Sequence, residues 1–138
     1  MELAEILDIQ PYSLNKIEKE CLLSPYLMNL SLYHYNHCLP FKKMMDSIDF
    51  NVQRQYHFKE LPFLPVRLFK MFELISVPKE DIIKTMTSSG TSGQAVSQIF
   101  LDRETSSSQT KSLTKIVSSF IIALKTSKVF LYLGVDTL

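Results

Sequence analysis

The chain of 138 residues is long enough for one domain with a real core, since a domain of this size buries roughly two thirds of its unfolded surface. Hydrophobic residues make up 46% of the chain and charged residues 21%, a composition that argues against both disorder and a fibrous repeat. The formal net charge of +1 is too small to favour nucleic acid or an anionic membrane as a partner.

The cysteines and the apolar segments indicate the compartment. Cys21 and Cys38 lack the dense spacing of a disulfide-stapled secreted domain, and the N-terminus is acidic, unlike a secretory signal. The most apolar stretch, 116–124, is short and interrupted by serines, so no transmembrane segment is predicted. We therefore expect a cytoplasmic protein in which both cysteines serve as packing residues.

The first part of the chain, 1–60, is predicted to be mostly helical. Ser13 is a candidate N-cap for the first long helix. Ser24 followed by Pro25 predicts a break and a second helix start, and Pro40 predicts the end of that helix and the start of a short one. The residues expected to share one face of the second helix are Leu27, Leu30, His34 and Cys38.

The middle of the chain is predicted to be less regular. The segment 61–65 contains two prolines, which predicts an ordered apolar loop rather than a strand or a helix interior. Pro65 is expected to start one or two helical turns, and the segments 73–77 and 81–87 are predicted to be extended.

The second part, 61–138, is predicted to be the α/β part of a single unit that spans residues 1–138. β-branched residues in 82–87 and 96–101 predict two strands on either side of a short loop. Asp102 is a candidate N-cap for a long amphipathic helix, and 129–133 is predicted to be a buried strand. The apolar stripe expected to face the core consists of Leu113, Ile116, Val117, Phe120, Ile121 and Leu124.

The loop between the two predicted strands is the best candidate for chemistry. Glycine lets the backbone approach a ligand, and successive N–H groups in such a loop can surround an anion. Serine and threonine hydroxyls add neutral donors, so the composition matches the β and γ phosphates of ATP with a magnesium ion. The residues of the segment are Thr87, Ser88, Ser89, Gly90, Thr91, Ser92 and Gly93.

Two other phosphate-binding patterns fit less well. The Walker pattern needs a lysine directly after its last glycine, where this chain has Gln94, and the dinucleotide fingerprint needs a following helix rather than a strand. Spacing alone also fits a flexible hairpin tip equally well.

The segment 88–93 resembles the Ser/Thr-Gly-rich phosphate loop of the adenylate-forming superfamily, which includes acyl-CoA synthetases, phenylacetate-CoA ligases and firefly luciferase. A longer similarity, over 61–113, is to the acyl-protein synthetase (LuxE) family. It comprises the run 62–70 and, after the loop, Ser97, Asp102, Arg103, Thr105 and Gln109. Many superfamily members have a lysine just after the loop, and its absence here is typical of the acyl-protein synthetase branch.

The resemblance implies an AMP-forming acid–thiol ligase. Its members use ATP and Mg²⁺ to activate a long-chain fatty acid as an acyl-adenylate, which then passes to a protein cysteine. By this resemblance Ser88, Ser89, Thr91 and Ser92 donate to phosphate oxygens, while Gly90 and Gly93 allow close approach. The family's adenine pocket, carboxylate tunnel and acyl-accepting cysteine lie further along. The chain is therefore expected to be the N-terminal portion of the ligase's large domain and inactive alone.

Alternatives remain for the function and for individual residues. The chain could instead be a non-catalytic interaction module that retains the ligase fold. Thr105 and Gln109, expected on the buried face of the long helix, either support the phosphate loop or act as a helix cap and a buried amide. His34, His37 and Cys38 have a spacing that can chelate zinc, but without a further ligand pair the sequence favours packing.

Overall fold

The computed structural model describes residues 3–88 and 95–126, with side chains up to residue 122. Contacts among them form two compact units, one from residues up to Leu14 and from Ser107 onward, and one from Asn15–Ser106. The mixture of helices with an antiparallel pair of strands confirms the predicted α/β class. In chain order the elements are α1 (Leu3–Asp8), α2 (Lys16–His37), α3 (Leu39–Ser47), α4 (Leu68–Met71), β1 (Ile82–Thr87), β2 (Gln98–Asp102) and α5 (Arg103–Thr126).

In the first unit, two lysines of α5 bond to the end of α1. Lys111 Nζ donates to Asp8 Oδ1 at 2.7 Å, and Lys115 Nζ donates to the Leu7 carbonyl at 2.5 Å. A cation near the last carbonyls of a short helix also interacts favourably with its dipole. These contacts fix the C-terminal end of α1 to α5.

The N-cap of α2 is Asn15, so the prediction of Ser13 is wrong. Asn15 Oδ1 accepts from the Glu18 N–H at 3.0 Å, and the Glu18 carboxylate accepts from the Asn15 N–H at 2.7 Å, which makes a capping box. Ser13 Oγ instead donates to the Gln10 carbonyl in the preceding turn. The reciprocal bonds of Asn15 and Glu18 place the helix start after Ser13.

The predicted break at Pro25 is also wrong, because α2 continues through it. Ser24 Oγ donates to the Glu20 carbonyl at 2.8 Å and accepts from the Phe58 N–H at 3.1 Å. Lys59 Nζ adds an ion pair with Glu20 Oε1 at 2.6 Å. These contacts bind the short 3-10 turn Phe58–Glu60 to α2 just before the proline, so contacts with a distant segment hold the helix where a backbone N–H is missing.

Helices α2 and α3 pack against each other around a small core, and Pro40 lies at the start of α3, as predicted. Met28, Cys38 and Met45 are at most 4% exposed, so Cys38 is a packing residue. Cys21 is exposed, which corrects the expectation that both cysteines pack inside.

The segments between α3 and β1 follow the predictions in part. Residues 61–65 form the predicted loop, and α4 begins just beyond Pro65, whose carbonyl accepts from the Leu68 N–H at 2.9 Å. The segment 73–77 forms no strand. Tyr33 and His34 of α2 bond to Ser76 instead, which holds the segment against that helix.

Strands β1 and β2 form an antiparallel hairpin, which confirms the predicted pair of strands. The register pairs Thr87 with Gln98 near the loop and Ile82 with Asp102 at the far end, with an irregularity between Ile82 and Lys84. Leu101 is buried at 5% exposure, and α4 packs against β2. The hairpin therefore has an anchored end next to α5 and an end that leads into the loop.

The long helix α5 is confirmed, but its predicted burial is wrong for the side chains that the structure describes. The exposed apolar side chains, between 39% and 62%, are Leu113, Ile116, Val117, Phe120, Ile121 and Ile122. Periodicity predicted the stripe correctly, whereas burial needs a partner surface. The side chain of Leu124 and the predicted strand 129–133 lie outside the described residues.

Candidate functional site

Two serines close the hairpin where the chain enters the loop. The Ser88 N–H donates to the Ser97 carbonyl at 3.2 Å, and the Ser97 N–H donates to Ser88 Oγ at 3.1 Å. This pair extends the ladder one step beyond Thr87 and Gln98. The bond from Ser97 fixes the position of the Ser88 hydroxyl while leaving its proton able to donate.

The structure places two of the seven predicted loop residues. Thr87 and Ser88 are both exposed, Thr87 as the last residue of β1 and Ser88 directly after it. The other five, Ser89, Gly90, Thr91, Ser92 and Gly93, lie outside the described residues, so their predicted contacts with phosphate stay predictions.

The side-chain hydroxyl of Ser97, a member of this pair, is buried, and the sequence pattern predicts no role for it. Ser97 is 7% exposed, and its Oγ has no hydrogen-bond partner among the described residues. The sequence signal was weak, since Ser97 was notable only as one position of the resemblance. A serine among β-branched and apolar neighbours directly after the loop is the pattern that could have revealed it.

Thr105, the first of the two residues predicted to support the phosphate loop, lies just after the far end of β2. Asp102 Oδ1 accepts from the Thr105 N–H at 2.7 Å, which confirms Asp102 as the N-cap of α5. The hydroxyl of Thr105 and then its N–H lower the pKa of Asp102. Thr105 is exposed rather than buried, and it lies a strand length of about 16 Å from the Ser88–Ser97 pair. The bond from the Thr105 hydroxyl to Asp102 is a local reason for a threonine at this position.

Gln109 lies one turn further along α5, in the part that belongs to the other compact unit. Its side chain is half-buried and has a bonding partner. Its support of the phosphate loop stays a prediction.

A depression of about 350 Å³ lies at the anchored end of the hairpin, away from the loop. Four carboxylates and a single arginine line it, so its charge disfavours a polyphosphate. The predicted phosphate-binding residues that the structure describes, Thr87 and Ser88, lie at the opposite end of the hairpin. The lining residues are Glu80, Asp81, Ile83, Asp102, Arg103 and Glu104.

His34 and His37 of α2 each make a hydrogen bond within the chain. His34 Nδ1 lies 2.6 Å from Ser76 Oγ, and His37 Nδ1 lies 2.7 Å from the Tyr33 carbonyl. Burial, and then the neighbouring His37, lower the pKa of His34.

Within 3–88 and 95–126, no group of three or more His, Cys, Asp or Glu side chains could hold a metal ion. None of the described helices is long and apolar enough to cross a membrane.

Comparison with known proteins assigns the family. A sequence model of the family described as acyl-protein synthetase, LuxE, matches residues 2–135, which is nearly the whole chain. No curated protein and no solved structure matches it. The match includes the helical part as well as the hairpin, and it extends the similarity beyond the range 61–113 that the sequence motifs covered. The chain belongs to the acyl-protein synthetase (LuxE) family.

Proposed function

We propose that the hairpin end formed by Ser88, Ser97 and the loop 89–93 holds the polyphosphate of ATP during activation of a fatty acid. The observation that carries this proposal is the Ser88–Ser97 pair, in which a backbone bond holds an exposed hydroxyl at the entrance to the loop. Family membership supports a synthetase that transfers an acyl group to a protein, and we propose a cysteine thiol as the acceptor.

The proposed chemistry needs alignment more than covalent participation by the protein. A carboxylate oxygen of the fatty acid attacks the α-phosphorus of ATP, the bond from that phosphorus to the bridging oxygen breaks, and pyrophosphate leaves. Hydroxyl and N–H donors stabilise the charge on the phosphate oxygens as this happens. In this scheme Ser88, Ser89, Thr91 and Ser92 donate, and Gly90 and Gly93 let the backbone come close to the phosphates.

Magnesium would arrive with ATP and be held by phosphate oxygens. The carboxylates next to the hairpin, Asp81 and Asp102, flank its anchored end, about 16 Å from Ser88. They are too far away to share a metal ion with the β and γ phosphates at the serine end. We place the reaction in the cytoplasm, where ATP is available and the free thiols of Cys21 and Cys38 stay reduced.

Binding of Mg–ATP to the purified chain, measured by isothermal titration calorimetry, tests the proposal. We expect Ser88→Ala to weaken binding about tenfold, because a hydrogen bond to a charged oxygen contributes about 1.5–3 kcal/mol. Thr85→Ala is the matched control, since Thr85 is also an exposed hydroxyl on β1 but lies away from the loop. Equal losses for the two variants, or no binding by the wild type, would contradict the proposal.

We further propose that the chain by itself binds ATP without forming acyl-adenylate. The hairpin supplies phosphate donors, whereas the resemblance to the family places the adenine pocket and the carboxylate tunnel further along the family's sequence. Release of pyrophosphate in the presence of ATP, Mg²⁺ and a long-chain fatty acid measures turnover. Release above the rate of a Gly90→Val variant would show that this part of the proposal is wrong.

A further inference from the structure

The Ser97 hydroxyl is a buried polar group with no partner among the described residues. Its backbone N–H and carbonyl are both bonded to Ser88, so the side chain is the part of this residue left without a bond there. A buried hydroxyl without a partner destabilises a folded chain, and native proteins contain few of them. Where such a group persists, a role in function is one of its explanations.

The Ser97 hydroxyl lies close to Ser88 Oγ. The Ser97 amide already touches Ser88 Oγ, and the hydroxyl of a serine lies close to its own amide nitrogen. Rotation about χ1 of Ser97 can therefore bring its Oγ toward Ser88 Oγ. Ser88 is exposed, whereas Ser97 is buried behind it. The two hydroxyls thus differ in access to a ligand, and only Ser88 is open to solvent.

We propose that Ser97 is a positioning residue that acts through Ser88 when a polyphosphate is bound. As the Ser88 hydroxyl donates its proton to a phosphate oxygen, Ser88 Oγ becomes a better acceptor, and the Ser97 hydroxyl donates to it. Such a chain of hydroxyls strengthens each member, and the negative charge at its end strengthens the first bond. The nucleotide-bound state thus favours the rotamer in which the Ser97 hydroxyl bonds to Ser88 Oγ. This inference rests on the proposed function.

The test measures two quantities for each variant: the affinity for Mg–ATP and the thermal unfolding midpoint without nucleotide. The variants are Ser97→Ala, Ser97→Cys, Ser88→Ala and the double change of both serines to alanine. Cysteine keeps the shape of the side chain with a somewhat larger atom, but its S–H is a weak donor, so it separates loss of the hydrogen bond from loss of packing.

We expect Ser97→Ala to weaken Mg–ATP binding about tenfold, with Ser97→Cys close to it. Without nucleotide, the unfolding midpoint of Ser97→Ala should stay the same or rise by about 3 °C, because an unpartnered hydroxyl is removed. In the Ser88→Ala background the second change should cost no more than about twofold in affinity, since Ser97 acts through Ser88.

Four results would overturn the inference. A lower unfolding midpoint for Ser97→Ala without nucleotide would show a satisfied structural hydroxyl. Wild-type affinity in that variant, or losses that add in the double variant, would remove the link to Ser88 while leaving ATP binding intact. Absence of Mg–ATP binding by the wild type would instead overturn the proposed function, and this inference with it.

Discussion

Asp102 links β2 to α5, because it ends the strand and caps the helix. Its carboxylate accepts hydrogen bonds from Thr105, and those bonds hold the pKa of Asp102 below its usual value of 3.8. A carboxylate with a lowered pKa contributes stability above its unfolded pKa and loses it as the pH falls through the folded pKa. The cap should therefore be at full strength near neutral pH and be lost in acid.

We expect Asp102→Ala to lower the free energy of unfolding by about 1 kcal/mol at neutral pH, as loss of an N-cap usually does. Asp102→Asn is the control, since asparagine caps about as well and carries no charge. Urea unfolding followed by circular dichroism measures both variants. If Asp102→Ala unfolds at the wild-type urea concentration, the cap contributes nothing to stability.

His34 makes the stability of the folded chain depend on pH. Burial disfavours its charged form, so the pKa in the folded state lies below the usual 6.5. Between those two values the unfolded chain binds more protons, and stability therefore falls as the pH drops below 6.5. The effect is absent at higher pH, where the imidazole is neutral in both states.

The urea concentration at the unfolding midpoint should decrease as the pH is lowered from about 7.5 to about 5.5. The variant His34→Gln should remove most of that decrease. His37→Gln is the matched control, because His37 lies on the same helix but is exposed. It should keep most of the pH dependence, since burial of His34 is the larger cause. An unchanged pH profile in His34→Gln would contradict this assignment.

At the scale of elements, α2 tolerates a proline in its interior because contacts with a distant segment hold the helix directly before it. The Ser24 hydroxyl holds the turn that begins at Phe58, and Glu20 holds Lys59. These partners are far apart in the sequence, and their contacts form only when the chain has folded. The helix therefore stays continuous at a position where local propensity favours a break.

Pro25→Ala should raise the free energy of unfolding by about 1–2 kcal/mol, because it restores a backbone N–H inside α2. Pro40→Ala is the matched control. Pro40 lies at the start of α3, where the missing N–H costs nothing and the fixed φ favours the helix, so its loss should destabilise slightly. Urea midpoints of the two variants should shift in opposite directions. A shift in the same direction would contradict the account of α2.

At the scale of the whole molecule, α5 shows an apolar face that is exposed among the residues that the structure describes. Val117 is 54% exposed, Phe120 62% and Ile121 45%, and all three lie on the stripe that periodicity predicted to face a core. A contiguous apolar patch on a helix is a surface to which hydrophobic probes bind.

We expect the chain to enhance the fluorescence of the dye ANS, and the double change Val117→Lys and Ile121→Lys to reduce that enhancement at least about twofold. Ser118→Lys is the control, because it adds a lysine at an exposed position off the stripe. The comparison is made under conditions where circular dichroism shows the same helix content for all variants. Equal fluorescence in wild type and double variant would contradict exposure of this face.

The amino-acid sequence by itself determined the parts that depend on neighbours along the chain. β-branched runs determined β1 and β2, a short capping residue and apolar periodicity determined α5, and crowded glycines and hydroxyls marked the loop 88–93. Motif order across 61–113 pointed to the family, which the match over 2–135 confirms. Such patterns are local, because hydrogen-bonding ladders, caps and φ preferences act over a few residues.

Only the tertiary structure decided which of these groups are buried or held. Pro25 lies inside a helix because Phe58, 34 residues after Ser24, bonds to that serine. Ser97 became a candidate because packing hid its hydroxyl without giving it a described partner, and the stripe on α5 is exposed although its period is that of a core helix. Burial and long-range hydrogen bonds depend on which distant surfaces meet, and one chain's periodicity does not contain that information.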